Sequence, residues 1–209
     1  MTIHLHKGDL PDGVSWPSEI AVDSETMGLI HRRDRLCVVQ LSAGDGDAHL
    51  VQLEPAEGEA KLARAPVLRA LLSDPKTLKI FHFARFDIAA LKAHLGVACA
   101  PVFCTKIASK LARTYTDRHG LKDVARELLG VELSKQQQSS DWGAAELTDA
   151  QLDYAAADVL YLHGIKERLS DMLAREGRTE LAAACFEFLP TRAHLDLAGW
   201  SEVDIFDHA

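Results

Sequence analysis

The sequence predicts an α/β or α+β fold, a sheet with helices on its faces, in a single domain over residues 1–209. Three observations lead there. Short apolar runs of strand character crowd the first half of the chain, whereas from residue 84 the apolar spacing becomes helical. Strands followed by helices, without repeats or low-complexity linkers, describe one layered domain. A chain of 209 residues buries roughly 70% of its unfolded surface, enough to fold without disulfide staples.

The strand-like runs are, in order, "IAVDSE" (20–25), "RLCVVQLSAG" (35–44), "AHLVQL" (48–53) and "TLKIFHF" (77–83). The "GDGD" at 44–47 reads as a hairpin turn between the second and third. "APVLRALLSD" has helical spacing and a polar stop. "ARFDIAALKAHLG" sets Phe86, Ala89, Ala90 and Leu91 near one face and ends on glycine. A short extended "VACAPVFC" precedes helices over "TKIASKLAR" and "GLKDVARELLG". One long helix is expected over 147–177, opened by a capping box of Thr148 and Gln151. The ending "HLDLAGWSEVDIFDHA" exposes a liability unless Leu197, Trp200, Ile205 and Phe206 pack on the core or on a neighbouring subunit.

Bulk properties narrow the function. The net charge of −8 argues against a protein that coats long nucleic acid with a broad basic face. It leaves room for a nucleic-acid enzyme whose bound cations supply the local positive charge. No apolar run approaches the ~20 residues that span a bilayer, and the N-terminus lacks a signal-peptide layout. The cysteines at 37, 99, 104 and 185 form no Cys-x-x-Cys pair. They read as small buried hydrophobes in a reducing cytoplasm, not as a zinc site.

The chemistry-bearing residues are acids. In the extended run "AVDSET", Asp23 and Glu25 point to one face. Two like charges that close repel unless a cation sits between them. Asp87 opens a helix directly after an apolar strand, and Tyr154 and Asp158 share a helical face across three alanines. Each has a plain alternative: a polar strand end, a helix N-terminal charge, a core aromatic, a solvated helix acid. Their joint occurrence matches what two-metal phosphoryl transfer uses, four carboxylates around two cations ~3.5–4 Å apart. Oxygen-rich ligation favours Mg²⁺ or Mn²⁺ over zinc.

These residues carry a resemblance. "VDSETMGL", "FHFARFDIAAL" and "YAAADVLYL" resemble the three motifs of the DEDD superfamily of 3′→5′ exonucleases, in the branch with tyrosine in the third motif. "TKIASKL", "HGLKDVARELLG" and "KQQQSSDW" resemble the ribonuclease D group. The compact length, "RLCVVQLS", "FCTKIASKLARTYTDRHGLK" and "LDLAGWSEVDIF" resemble the bacterial nanoRNase C proteins. The resemblance implies a ribonuclease H-like fold, a central mixed sheet flanked by helices, without an appended helical nucleic-acid-binding domain. It implies that Asp23, Glu25, Asp87 and Asp158 hold two divalent cations and that Tyr154 orients the hydrolytic water. The implied activity is a cytoplasmic 3′→5′ exoribonuclease that cleaves short single-stranded RNA, chiefly diribonucleotides, to 5′-mononucleotides. The implied assembly is a homo-octamer, with no membrane association. Leu29 takes the place of a leucine that wedges between two bases; an ordinary buried leucine is the alternative. Phe83 stands where many ribonuclease D relatives have asparagine. A broader ribonuclease D-like trimming enzyme, a DNA exonuclease and a catalytically silent RNA-binding protein are the rival readings.

A dinucleotide offers few phosphates, so its 5′ end needs a grip. Lys106, Lys110 and Arg113 share a helical face, on which Lys106 and Lys110 read as solvated. Arg118, His119 and Lys122 follow in or near a turn and suit a 5′-phosphate cap. "KQQQSSDW" offers Lys135, Gln138 and Trp142 as substrate contacts. Its amides suit base edges or sugar hydroxyls, and its indole stacks on a base or packs the loop; a flexible linker is the alternative. His82 is expected to bond the terminal nucleotide or to buttress Asp87. "HRRDR" (31–35) reads as a solvated turn.

Overall fold

The structure is a computed structural model that describes residues 1–134 and 136–208. Six strands form one mixed sheet: β1 (Ile3–Lys7), β2 (Glu19–Thr26), β3 (Leu36–Ser42), β4 (Ala48–Gln52), β5 (Leu78–Phe81) and β6 (Val102–Cys104). Their order is β1-β4-β3-β2-β5-β6. The β2–β3 and β3–β4 pairs are antiparallel; β1–β4, β2–β5 and β5–β6 are parallel. All seven residues of β3 are buried, as a strand covered on both faces requires. The "GDGD" turn joins β3 to β4, with Gly44 and Gly46 at positive φ.

Among the described residues eight helices surround the sheet: α1 (Ala60–Ala63), α2 (Pro66–Ser73), α3 (Ala84–Leu95), α4 (Thr105–Ala112), α5 (Leu121–Leu129), α6 (Asp149–Leu160), α7 (Leu162–Arg175) and α8 (Thr179–Leu195). Gly96 and Gly130 stop α3 and α5 as the sequence indicates, each in the left-handed conformation. The capping box at Thr148 and Gln151 is formed. The single helix expected over 147–177 is two. The chain turns at Tyr161 (φ −102, ψ −4), whose N–H bonds back to the Val159 carbonyl. The turn lets α6 lie against β2, β3 and β4 while α7 packs on α4 and α5.

The C-terminal expectation holds in part. Beyond α8 the chain continues through Asp196–Trp200 and kinks at Gly199 (φ 109). Leu197 packs against the core, but Trp200, Ile205 and Phe206 stay exposed. The four cysteines are free; Cys37, Cys99 and Cys104 are buried and Cys185 is half-buried. Among the described residues no helix is long and apolar enough to cross a membrane.

Candidate active site

Alternation along β2 sends Asp23 and Glu25 to one face and Ser24 to the other. On the first face α6 presents Asp158, and one oxygen each of Asp23, Glu25 and Asp158 lie within 4.8 Å of one another. From the other side, Ser24 donates its hydroxyl to Asp87 at 2.7 Å. Asp87 sits in the first turn of α3, 3% exposed. All four acids line a cavity of about 700 Å³. The expected convergence of one strand, one helix start and one helix face is therefore present in space.

The electrostatics are those of charge crowded without neutralisation. Burial first, then repulsion from Asp87, Asp158 and Glu25, holds the Asp23 carboxyl well above its ordinary range. Burial, with Asp158 and Asp87, pushes Glu25 up to about 9. Burial lifts Asp87 and Asp158 to about 7 each. The side chains pulling the other way are neutral: the Ser24 hydroxyl on Asp87 and the Tyr154 hydroxyl on Asp158. Burial and the nearby acids raise Tyr154 itself, so it enters the site as a protonated donor. A set of hard oxygen ligands destabilised by its own charge fits divalent cations such as Mg²⁺.

The rim is built by a tight loop after β2. Asp34 accepts the Ile30 N–H at 2.9 Å, and a Cβ on Gly28 would come within 2.4 Å of the Asp34 carboxylate. Only glycine fits that approach. The loop carries Leu29 onto the cavity lining at 81% exposure, so it is not a core leucine. The "HRRDR" stretch is less solvated than its composition suggests, because Asp34 is buried.

The remaining candidates divide. His82 lines the cavity, but it faces Thr105 (Nδ1 to Oγ1, 2.8 Å) rather than Asp87. Thr105 spends its own proton on the Phe81 carbonyl, so His82 Nδ1 is the donor. Burial pushes the imidazole down to about 3, hence neutral. Gln138 is exposed on the lining. Trp142, at 2% exposure, lines the cavity with its ring 6.0 Å from that of Tyr154. Lys135 falls outside the described residues.

Lys106 and Lys122 line the cavity; Arg118 and His119 do not. The Lys106 ammonium sits 4.2 Å from the centroid of the Phe83 ring. The expected solvated basic face of α4 is interrupted, because Arg113 is fully buried against Ser109 and Glu127. His119 bonds Ser109 at 2.9 Å. Sequence reasoning passed over Ser24 and Asp34. Ser24 was legible in principle, as a polar residue on the opposite face of an otherwise buried strand.

The profile of the 3′–5′ exonuclease domain family matches residues 11–174. The chain belongs to the 3′–5′ exonuclease family. Within that exonuclease family it is ribonuclease D-like. Ribonuclease D of Granulibacter bethesdensis is 38% identical over 159 residues, 76% of this chain and 38% of that protein. Ribonuclease D of Acidiphilium cryptum is 38% identical over 164 residues, 78% of this chain and 40% of that protein. The chain thus spans about two-fifths of the length of these relatives. Brucella melitensis NrnC matches over 100% of both chains. Its structure with bound Mg²⁺ is 55% identical with a TM-score of 0.92, and its structure bound to pGG is 56% identical with a TM-score of 0.93. Escherichia coli RNase D, 26% identical, covers 84% of this chain and 45% of its own at a TM-score of 0.72. The mixed sheet flanked by helices is the ribonuclease H-like exonuclease fold.

Proposed function

We propose that this exonuclease domain degrades short single-stranded RNA, chiefly diribonucleotides, from the 3′ end to 5′-mononucleotides. The observation that carries the reading is the convergence of Asp23, Glu25, Asp87 and Asp158, mutually repelling, on a cavity of about 700 Å³. Two Mg²⁺ or Mn²⁺ ions bound there would offset the acids, activate water and stabilise the departing 3′-oxygen. The chain's own residues do the rest. Asp23, Glu25, Asp87 and Asp158 would hold the cations, whose charge would draw in the scissile phosphate that the bare acids repel. Ser24 keeps Asp87 turned inward through its 2.7 Å bond. The Tyr154 hydroxyl, held protonated beside Asp158, orients the water in line with the P–O3′ bond that breaks.

The preference for dinucleotides is supported by the exposed Leu29 on the lining, placed to separate two bases, and by the likeness to an NrnC bound to pGG. In this proposal His82, Gln138 and Trp142 shape the nucleotide pocket, and Lys135 is a further substrate contact. Arg118 and His119 serve the 5′-phosphate from a neighbouring copy in a homo-octamer, since neither lines the cavity of its own chain. The enzyme works in the cytoplasm on RNA fragments left by other nucleases. A series of 5′-labelled RNAs from two to ten nucleotides tests the reading. Turnover should be steepest for the dimer. Equal rates along the series would make this a general ribonuclease D-like trimming enzyme, and preference for a DNA series would make it a DNA exonuclease.

A further inference from the structure

Every residue of β3 is buried, yet the fifth of its seven is a glutamine. Gln40 is 0% exposed, and neither its amide nitrogen nor its amide oxygen has a hydrogen-bond partner among the described residues. The other two buried glutamines are satisfied. Gln52 donates to the Ala144 carbonyl at 2.8 Å and accepts from Lys7. Gln151 bonds Ser140, Asp141 and Thr148. A buried amide left unpaired costs stability that a buried leucine would not.

The register places the exception. Gln40 is the direct antiparallel partner of Asp23 on β2 and of Leu50 on β4. Directly opposed residues share a face, with Cβ atoms about 4.5–5.5 Å apart. Gln40 therefore stands on the Asp23 face beneath α6, with an apolar neighbour on one side and an acid on the other. As folded its amide bonds neither neighbour, but a glutamine side chain is long enough to span that separation by turning about its torsions.

We infer that Gln40 is a positioning residue for Asp23: its N–H₂ group is the donor that fixes the Asp23 carboxylate for cation binding. The inference rests on the proposed two-cation site. Such outer contacts to metal-ligating carboxylates typically change metal affinity by about 10–100-fold. The variants are Gln40→Met, close in shape, and Gln40→Leu. Two quantities are measured without substrate: the unfolding temperature in EDTA, and Mn²⁺ affinity by calorimetry.

The expected result is an unfolding temperature equal to or above that of the unsubstituted protein, together with Mn²⁺ binding weakened about tenfold or more. Binding unchanged in either folded variant overturns the inference. A fall in unfolding temperature in EDTA for both variants also overturns it, because the amide would then be serving the fold. If the unsubstituted protein binds no Mn²⁺, it is the proposed function that fails.

Discussion

Two acidic sites in this molecule hold the same side chain in opposite electrostatic states. Asp196, its side chain 5% exposed, lies between two arginines: Arg85 at 2.6 and 2.8 Å and Arg192 at 2.6 and 3.1 Å. Those guanidiniums hold its carboxyl below the ordinary range against the cost of burial. Asp23, Glu25, Asp87 and Asp158 are gathered with neutral partners only, and burial and repulsion push all four up. The first arrangement is complete as folded and ties α3 to the end of α8. The second is complete only with added positive charge. Unsatisfied acid in a cavity marks a site, whereas buried acid in a fork of arginines marks a joint.

Substitutions should separate the two. Asp158→Ala is expected to lower RNA hydrolysis by at least about a thousandfold, while the unfolding temperature in EDTA stays level or rises. A residual rate near that of the unsubstituted protein would remove Asp158 from the chemistry. Asp196→Ala should do the reverse. It leaves two partly buried arginines unpaired, which costs roughly 1–3 kcal/mol, read by urea denaturation, with the folded fraction still active. The joint reading fails if stability is untouched.

The same contrast predicts opposite pH dependences in EDTA. Asp87 and Asp158 at about 7 and Glu25 at about 9 lie above their ordinary values of 3.8 and 4.5. The folded state therefore holds these protons more tightly than the unfolded one. Their contribution is fully present below about pH 4 and is lost as pH rises through 7 and 9. Asp196 is shifted down, so its contribution is present above about pH 4 and lost as pH falls below it. Scans in EDTA should show the unfolding temperature declining from pH 6 to 9, and Mg²⁺ should reverse that decline at pH 8. A flat profile that ignores Mg²⁺ would contradict the account.

Much of this was legible in the sequence where local signals were strong. The four central runs became β2 to β5, and the capped helices ended where their glycines stand. The catalytic candidates were legible because they recur at fixed offsets from strand ends and along one helical face. What escaped lacked such signals. β1 is an edge strand whose "IHLHK" alternates apolar residues with histidines. α8 carries an internal Pro190 and apolar residues on several sides, so no stripe announces it. The break at Tyr161 arises from the different surfaces α6 and α7 pack on, a tertiary demand invisible in a continuous helical pattern. Spacing alone set Arg113 on one helical face with Lys106 and Lys110, because nothing local reveals that Glu127 waits on the next helix.

The central claim is that four acids, distant in sequence, bind divalent cations together. Crystals soaked in Mn²⁺ and measured at the manganese absorption edge test it most directly. The account predicts anomalous peaks within bonding distance of Asp23, Glu25 and Asp158, with Asp87 completing the shell. A map without anomalous density among these four carboxylates would contradict it.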